Sequence, residues 1–223
     1  MRQNKEGTMS DTKIISFYGV KRADLLYYLG KLLATTDRPV LLVDNSERSD
    51  LFRIFARRDE EEAYYRNVTV IHMAAYREKT TAPFAYVLVY HGMDLDNEWW
   101  EHSELHYLLL NFDRLDTEDI GRGLAGLESL GTVRLIFSGR LTSKIKDSYI
   151  VRELGLPDKT IEDAMELSPE TTADAMYLSL ERDGIGKIGK LPKDFKDVLW
   201  SVVSDVLPSD NRRNRNKFLA SAD

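Results

Sequence analysis

The chain has 223 residues, 43% of them hydrophobic and 30% charged, which suits one large α/β domain or two small ones with a substantial core. It contains no cysteine, which excludes a disulfide scaffold and cysteine-ligated zinc or iron–sulfur centres. A formal net charge of −6 argues against DNA binding by the whole surface. The longest apolar runs, such as Phe84 to Tyr90, fall far short of the ~20 residues of a membrane-spanning helix.

Residues 1–12 are polar, lack the apolar stretch of a signal peptide, and are expected to be disordered. Lys13 to Tyr18 predicts a first strand, and Leu25, Leu26, Leu29, Leu32 and Leu33 have the spacing of one buried helix face. Between them stand Gly19 and Lys21, with no Gly-Lys-Ser/Thr of the kind that cradles phosphate and holds Mg²⁺. Val40 to Val43 predicts the next strand. Asp44, at its end, could cap the segment Ser46 to Phe55. The run Arg57 to Glu62 carries both signs and reads as a solvated helix face or loop.

Strands are predicted at Val68 to Met73 and Tyr86 to Tyr90. His91, Asp94, Asp96 and Glu98 follow the second of these, where ligands bind in open α/β sheets, although acidic loops are usually solvated. Trp99 and Trp100 are adjacent, so a regular segment sends them in different directions, one toward the core and one toward the surface as a candidate partner contact. His102 and His106 have the i, i+4 spacing of a zinc pair, but the apolar run Tyr107 to Phe112 predicts a strand that breaks the helical register. A surface role for both is favoured, and no metal site is expected.

Asp116 with Asp119 suggests the opening of a helix that runs to about Leu130 and stops at Gly131. Val133 to Phe137 predicts a further strand, and Tyr149 to Leu154 a helix ended by Gly155-Leu-Pro157. Helices are also predicted over Glu170 to Glu181 and over Lys193 to Leu207, the latter with Phe195, Val198, Leu199, Val202, Val203 and Val206 on one face and Pro208 as its stop. Arg212 to Lys217 forms a small basic tail, for which a solvated, flexible state is favoured over an anionic contact. The alternation predicts a single α/β domain over 13–208: a mostly parallel, twisted sheet of about six to eight strands with helices on both faces. Residues 209–223 form the flexible basic tail.

The colinear set Lys13-Ile-Ile-Ser-Phe-Tyr18, Leu29-Gly-Lys-Leu-Leu-Ala34, Val40-Leu-Leu-Val-Asp44, Pro83-Phe-Ala-Tyr-Val-Leu-Val-Tyr90, Val133-Arg-Leu-Ile-Phe137 and Gly189-Lys-Leu-Pro-Lys-Asp-Phe195 resembles the ParA/MinD-like family of deviant P-loop ATPases. The likeness extends to its pilus-localising branch in Tad and Flp systems, the TadZ/CpaE-like proteins. It spans roughly residues 13–207 and implies a P-loop NTPase-like fold. Against the family pattern, about four residues of the phosphate loop are lacking between the first strand and the first helix. Tyr90 stands where the family has a Mg²⁺- and water-organising Asp, and Ser138-Gly-Arg140 where it has a base-contacting Asn and a following Arg. Asp44 survives, and Lys21 could stand for the loop lysine that crosses a homodimer in active relatives, although with no loop to hold phosphate a solvated helix-start role is favoured for it.

Phosphoryl transfer relies on positioning and electrostatic stabilisation, so joint loss of these groups is expected to remove hydrolysis. The implied protein is a non-catalytic pseudo-ATPase with no catalytic residue, no cofactor and no metal, and with Gly19, Lys21, Asp44, Tyr90 and Ser138 as degenerate positions. The resemblance implies protein partners: a homodimer, or a heterodimer with an active relative. The implied setting is the cytoplasm, with recruitment to a pilus or secretion machine at the inner face of the membrane. The alternative is an ATP- and Mg²⁺-binding ParA-like protein of partitioning or positioning, with Lys21, Arg22 and the first helix N-terminus as an altered phosphate site. A receiver-like signalling domain ranks last, because Tyr18-Gly-Val-Lys21 lacks the acidic pair it needs after the first strand.

Overall fold

In the computed structural model, the described residues are 12–36, 38–55, 62–76, 84–139, 145–157, 160–167, 180, 186–207 and 215–220. The strands are β1 (Lys13–Gly19), β2 (Val40–Asp44), β3 (Glu62–Tyr65), β4 (Val68–His72), β5 (Tyr86–Gly92), β6 (Leu105–Leu110), β7 (Val133–Ser138) and β8 (Ile161–Leu167). The helices are α1 (Ala23–Ala34), α2 (Phe52–Phe55), α3 (Met73–Tyr76), α4 (Asn97–His102), α5 (Arg114–Leu124), α6 (Asp147–Glu153), α7 (Lys193–Val206) and α8 (Arg215–Ala220). The strands form one eight-stranded sheet in the order β3-β4-β2-β5-β1-β6-β7-β8. Every neighbouring pair is parallel except β3 with β4.

Position in this order explains which strands were legible. Every residue of β2 and β5 is buried, so both read as unbroken apolar runs. The strand β8 lies at the edge, and its sequence Ile-Glu-Asp-Ala-Met-Glu-Leu is largely exposed and carries no such run. It was missed for that reason. The opposite edge strand β3 begins at Glu62, in the charged run expected to be a helix face or loop, and a two-residue turn at Arg66 and Asn67 returns it onto β4. The rest of that run, 57–61, lies outside the described residues.

Alternation along β1 assigns the two layers. Ile15 and Phe17 face α1 and α7, and the ring of Phe17 stacks on Tyr107 at 5.0 Å. The Tyr107 hydroxyl donates to Asp205 Oδ2 in α7 (2.7 Å), which also receives Arg134 Nε at 3.2 Å. Lys13 Nζ donates to the carbonyl of Val206 at 2.9 Å, so a cation meets the negative end of α7. Ser16 and Tyr18 face the other layer, where Trp100 of α4 meets Tyr18 edge-on at 6.4 Å and His106 at 4.4 Å.

The face predicted for α7 is the one it buries, while α1 is buried all round, including Tyr27, Tyr28 and Lys31. Several expected boundaries move, and those of α5 and β6 bear on the site. Helix α5 opens at Asp113, whose carboxylate accepts from Leu115 N (2.8 Å) and Asp116 N (3.3 Å), so Asp116 lies in the first turn and not at the cap. It ends at Leu124, well before Gly131, which has a φ of 68° ahead of β7. Strand β6 runs from Leu105 to Leu110, ending before Phe112.

Residues 215–220, expected in a flexible tail, instead form α8. The Phe218 ring packs on Trp200 of α7 at 5.9 Å, Leu219 is buried, and Arg215 pairs with Asp197. The apolar side chains Phe218 and Leu219 are what the charge of this segment hid. Residues 212–214, the N-terminal segment 1–11 and the predicted helix 170–181, apart from Leu180, lie outside the described residues.

Candidate functional site

The central strand β1 delivers the chain to the C-terminal end of the sheet, between β5 and β6. Gly19, the last residue of β1, has a φ of +127° and lies so close to β6 that a Cβ would sit 2.0 Å from the Leu109 carbonyl oxygen. Val20 N donates to that same oxygen at 2.9 Å. Only Val20, Lys21 and Arg22 then separate β1 from α1.

Arg22 is the N-cap of α1, and its own side chain makes no capping hydrogen bond. Its N–H donates to the phenol oxygen of Tyr90 on β5 at 3.3 Å. Tyr90 is fully buried, and burial foremost, with Asp50, Asp44 and Asp24 adding repulsion, pushes its pKa well above the usual phenol range. The phenol is therefore neutral. The guanidinium of Arg22 is also buried: Nε and Nη2 donate to Asp24 Oδ1 (3.1 Å) and Oδ2 (2.8 Å), the group lies 5.3 Å over the Phe195 ring, and Nη1 has no hydrogen-bond partner.

Asp44 and Tyr90 are register partners on β2 and β5. Asp44 Oδ1 accepts from Ser46 N (2.9 Å) and Ser46 Oγ (2.6 Å), and Oδ2 accepts from Leu51 N (2.9 Å) and Phe52 N (2.7 Å). The carboxylate thus holds the β2–α2 connection and caps α2. Its burial raises its pKa while these hydrogen bonds pull it down. Lys21, half-exposed, forms an ion pair with Asp50 at 3.0 Å and ties the β1–α1 connection to the β2–α2 connection. Gly19, Lys21, Asp44 and Tyr90 therefore converge on one corner of the sheet. Ser138 does not: it ends β7, two strands from β1, with its Oγ buried and, among the described residues, without a hydrogen-bond partner. Arg140 lies outside the described residues.

His91 belongs to a different arrangement, one with no signature in the sequence. Asp96 N–H donates to His91 Nδ1 at 3.1 Å, so the imidazole proton sits on Nε2, which donates to Ser16 Oγ at 3.0 Å. Ser103 donates to the Trp99 carbonyl (2.8 Å), so Ser16 donates in turn to Ser103 Oγ (2.8 Å). The chain of donors fastens α4 to β1 and β5. Complete burial drives the His91 pKa down to about 3, with His106 a lesser cause.

The remaining polar candidates separate as well. His106 is buried on β6 and hydrogen-bonds the Trp100 carbonyl at 2.8 Å, whereas His102, at the end of α4, contacts the Glu98 carbonyl at 2.6 Å. The strand breaks their helical spacing, as expected, but His106 belongs to the interior and not to the surface. Among the described residues no three His, Cys, Asp or Glu side chains gather as metal ligands. Trp100 is wholly buried, its indole Nε1 donating to the Leu130 carbonyl at 3.4 Å, which withdraws it from any partner surface. Trp99 is half-buried against a second apolar cluster that contains Val87 and Val89. A cavity of about 580 Å³ opens elsewhere, between α6 and the start of β8, lined by Ser148, Val151, Arg152, Gly155, Leu156 and Ile161.

No protein-family model and no curated protein matches the chain. Solved structures do. A ParA family ATPase from Chlorobium tepidum matches with a TM-score of 0.60 at 13% identity, covering 86% of this chain and 98% of its own. The MinC:MinD cell division protein complex of Aquifex aeolicus matches with a TM-score of 0.61 at 14% identity, covering 88% and 98%. The MinD cell division protein of Aquifex aeolicus gives 0.59 at 15% identity, covering 88% and 99%. Similarity at such low identity is a similarity of fold. The chain accordingly has the ParA/MinD architecture of the P-loop NTPase type, a single mostly parallel sheet covered by helices.

Proposed function

We propose that this chain is a pseudo-ATPase: a protein that keeps the ParA/MinD architecture for protein–protein contact and does not hydrolyse nucleotide. The observation that carries the reading is the hydrogen bond from Arg22 N–H to Tyr90 across a connection of three residues. A phosphate site at a strand–helix junction uses free backbone N–H groups at the helix start and a flanking cation. Here a neutral phenol takes the N–H at the head of α1, and Asp24 and Asp50 engage the cations of Arg22 and Lys21. Asp44 is committed to its four hydrogen bonds as a cap. Two of the three carboxylates here neutralise the cations a polyphosphate would need, and Asp44 adds a further negative group.

The sequence resemblance supports a setting for this contact role. The MinC:MinD structure is a complex between proteins, and a contact role suits a fold without its nucleotide chemistry. We place the protein in the cytoplasm, acting in the localisation or regulation of a membrane-associated machine such as a pilus or secretion system. Among the described residues no helix is long and apolar enough to cross a membrane, so recruitment there is peripheral in this reading. Phosphate release from Mg-ATP by the purified chain tests the proposal. A rate at the buffer background supports it, and turnover above background that is lost in Lys21→Ala overturns it.

A further inference from the structure

Helix α1 is buried along its whole length, although a helix laid on a sheet ordinarily leaves one stripe to solvent. Part of its cover is a segment that joins no strand, residues 186–191, which contains a single 3₁₀ turn, Ile188–Lys190. Gly186, Ile188 and Leu191 are buried, while Lys187, Gly189 and Lys190 are exposed. Two side chains of α1 hold one end of it. Lys31 Nζ donates to the Gly186 carbonyl, and the Gly186 N–H donates to the Tyr27 hydroxyl at 3.3 Å. The Lys31 ammonium also lies 5.8 Å over the Tyr27 ring, so the two holding groups support each other. The approach to α1 is close enough to require glycine: a Cβ on Gly186 would stand 2.4 Å from the Tyr28 hydroxyl and 2.6 Å from Leu180 Cδ2. Farther along, Lys196 Nζ of α7 donates to the Gly189 carbonyl at 2.9 Å.

This fastening differs in kind from that of the strands. The backbone bonds within the segment are local, from Lys190 N–H to the Lys187 carbonyl at 3.2 Å and from Leu191 N–H to the Ile188 carbonyl at 3.0 Å. Glycine fills two of its six positions, and ordering glycine costs more backbone entropy than ordering any other residue. A segment with half its residues exposed and no ladder of hydrogen bonds belongs to the part of a fold that opens first. We infer that residues 186–191 form a strap over α1 that opens as a unit while the sheet stays intact, with Tyr27 and Lys31 as its latch. Opening uncovers Tyr27, Tyr28 and Lys31, an aromatic and cationic face of α1. Nucleotide turnover has no bearing on this latch, so its test is separate from that of the pseudo-ATPase reading.

Two measurements on the full chain read the strap: hydrogen exchange followed by mass spectrometry, and acetylation of Lys31 relative to the exposed Lys187. In the native chain, peptides over 186–191 are expected to be protected at least about tenfold less than peptides of β5, and Lys31 to react more slowly than Lys187. Gly186→Ala is expected to speed both exchange over 186–191 and acetylation of Lys31 about tenfold, with β5 unchanged. Tyr27→Phe removes one acceptor from the latch and is expected to speed both about fivefold, again with β5 unchanged. This milder variant decides the matter if Gly186→Ala does not fold. Equal protection of 186–191 and β5 in the native chain overturns the strap, as does Lys31 reacting as fast as Lys187 there. In Tyr27→Phe, unchanged exchange and acetylation, or acceleration of β5 to the same extent, overturns it too.

Discussion

The phenol oxygen of Tyr90 accepts the backbone N–H of Arg22 at 3.3 Å, joining the buried strand β5 to the last residue of the β1–α1 junction, the N-cap of α1. One strand side chain thereby serves as the cap that α1 lacks among its own residues.

Tyr90→Phe keeps the ring and removes the acceptor. The Arg22 N–H is then buried without this partner, and the chain is expected to lose about 1 kcal/mol of unfolding free energy. Urea denaturation measures it, and an unchanged or raised midpoint would count against a capping role for the phenol.

Gly19→Ala should be far more damaging. The added Cβ would lie 2.0 Å from the Leu109 carbonyl oxygen, at a φ of +127° that side chains rarely adopt. We expect a loss of more than about 3 kcal/mol or failure to fold, read by soluble yield and far-UV circular dichroism. Near-normal stability would mean that β1 and β6 separate easily at this point.

These two residues mark how far the sequence could be read. The interior strands and the face of α7 were legible because burial on both sides, or on one stripe, writes itself as apolar periodicity. The short β1–α1 connection was legible as a spacing, and the cap role of Asp44 as one of two open readings. The contact between Tyr90 and Arg22 was not, because it joins residues 68 apart through the parallel insertion of β5 beside β1. The His91 network was hidden for the same reason, and β8 and β3 because edge strands carry charge.

The two tryptophans should respond differently. Trp100→Ala empties a fully buried site and is expected to cost about 3–5 kcal/mol, whereas Trp99→Ala, at a half-buried site, should cost about 1–2 kcal/mol. Thermal and urea denaturation of the two variants compares them. Equal losses would contradict the assignment of Trp100 to the interior.

His91 makes stability depend on acid. Its pKa falls from 6.5 to about 3 on folding, so between those values the unfolded chain binds a proton that the native chain refuses. The stabilisation is complete above about pH 6.5 and is lost as pH falls toward 3, and the buried His106, also lowered, acts in the same direction. Between pH 7 and 4.5 the native chain should lose about 2–3 kcal/mol more than His91→Gln, measured by urea denaturation at each pH. Parallel losses in the two proteins would remove His91 as the cause.

The corner formed by Gly19, Lys21, Asp44 and Tyr90 is proposed to hold the protein together and not to hold nucleotide. Isothermal titration calorimetry of the full chain with ATP, with and without Mg²⁺, tests it most directly. No saturable heat is expected with either, at ligand concentrations up to the millimolar range. Saturable binding at about micromolar Kd that requires Mg²⁺ and is abolished by Lys21→Ala would contradict it.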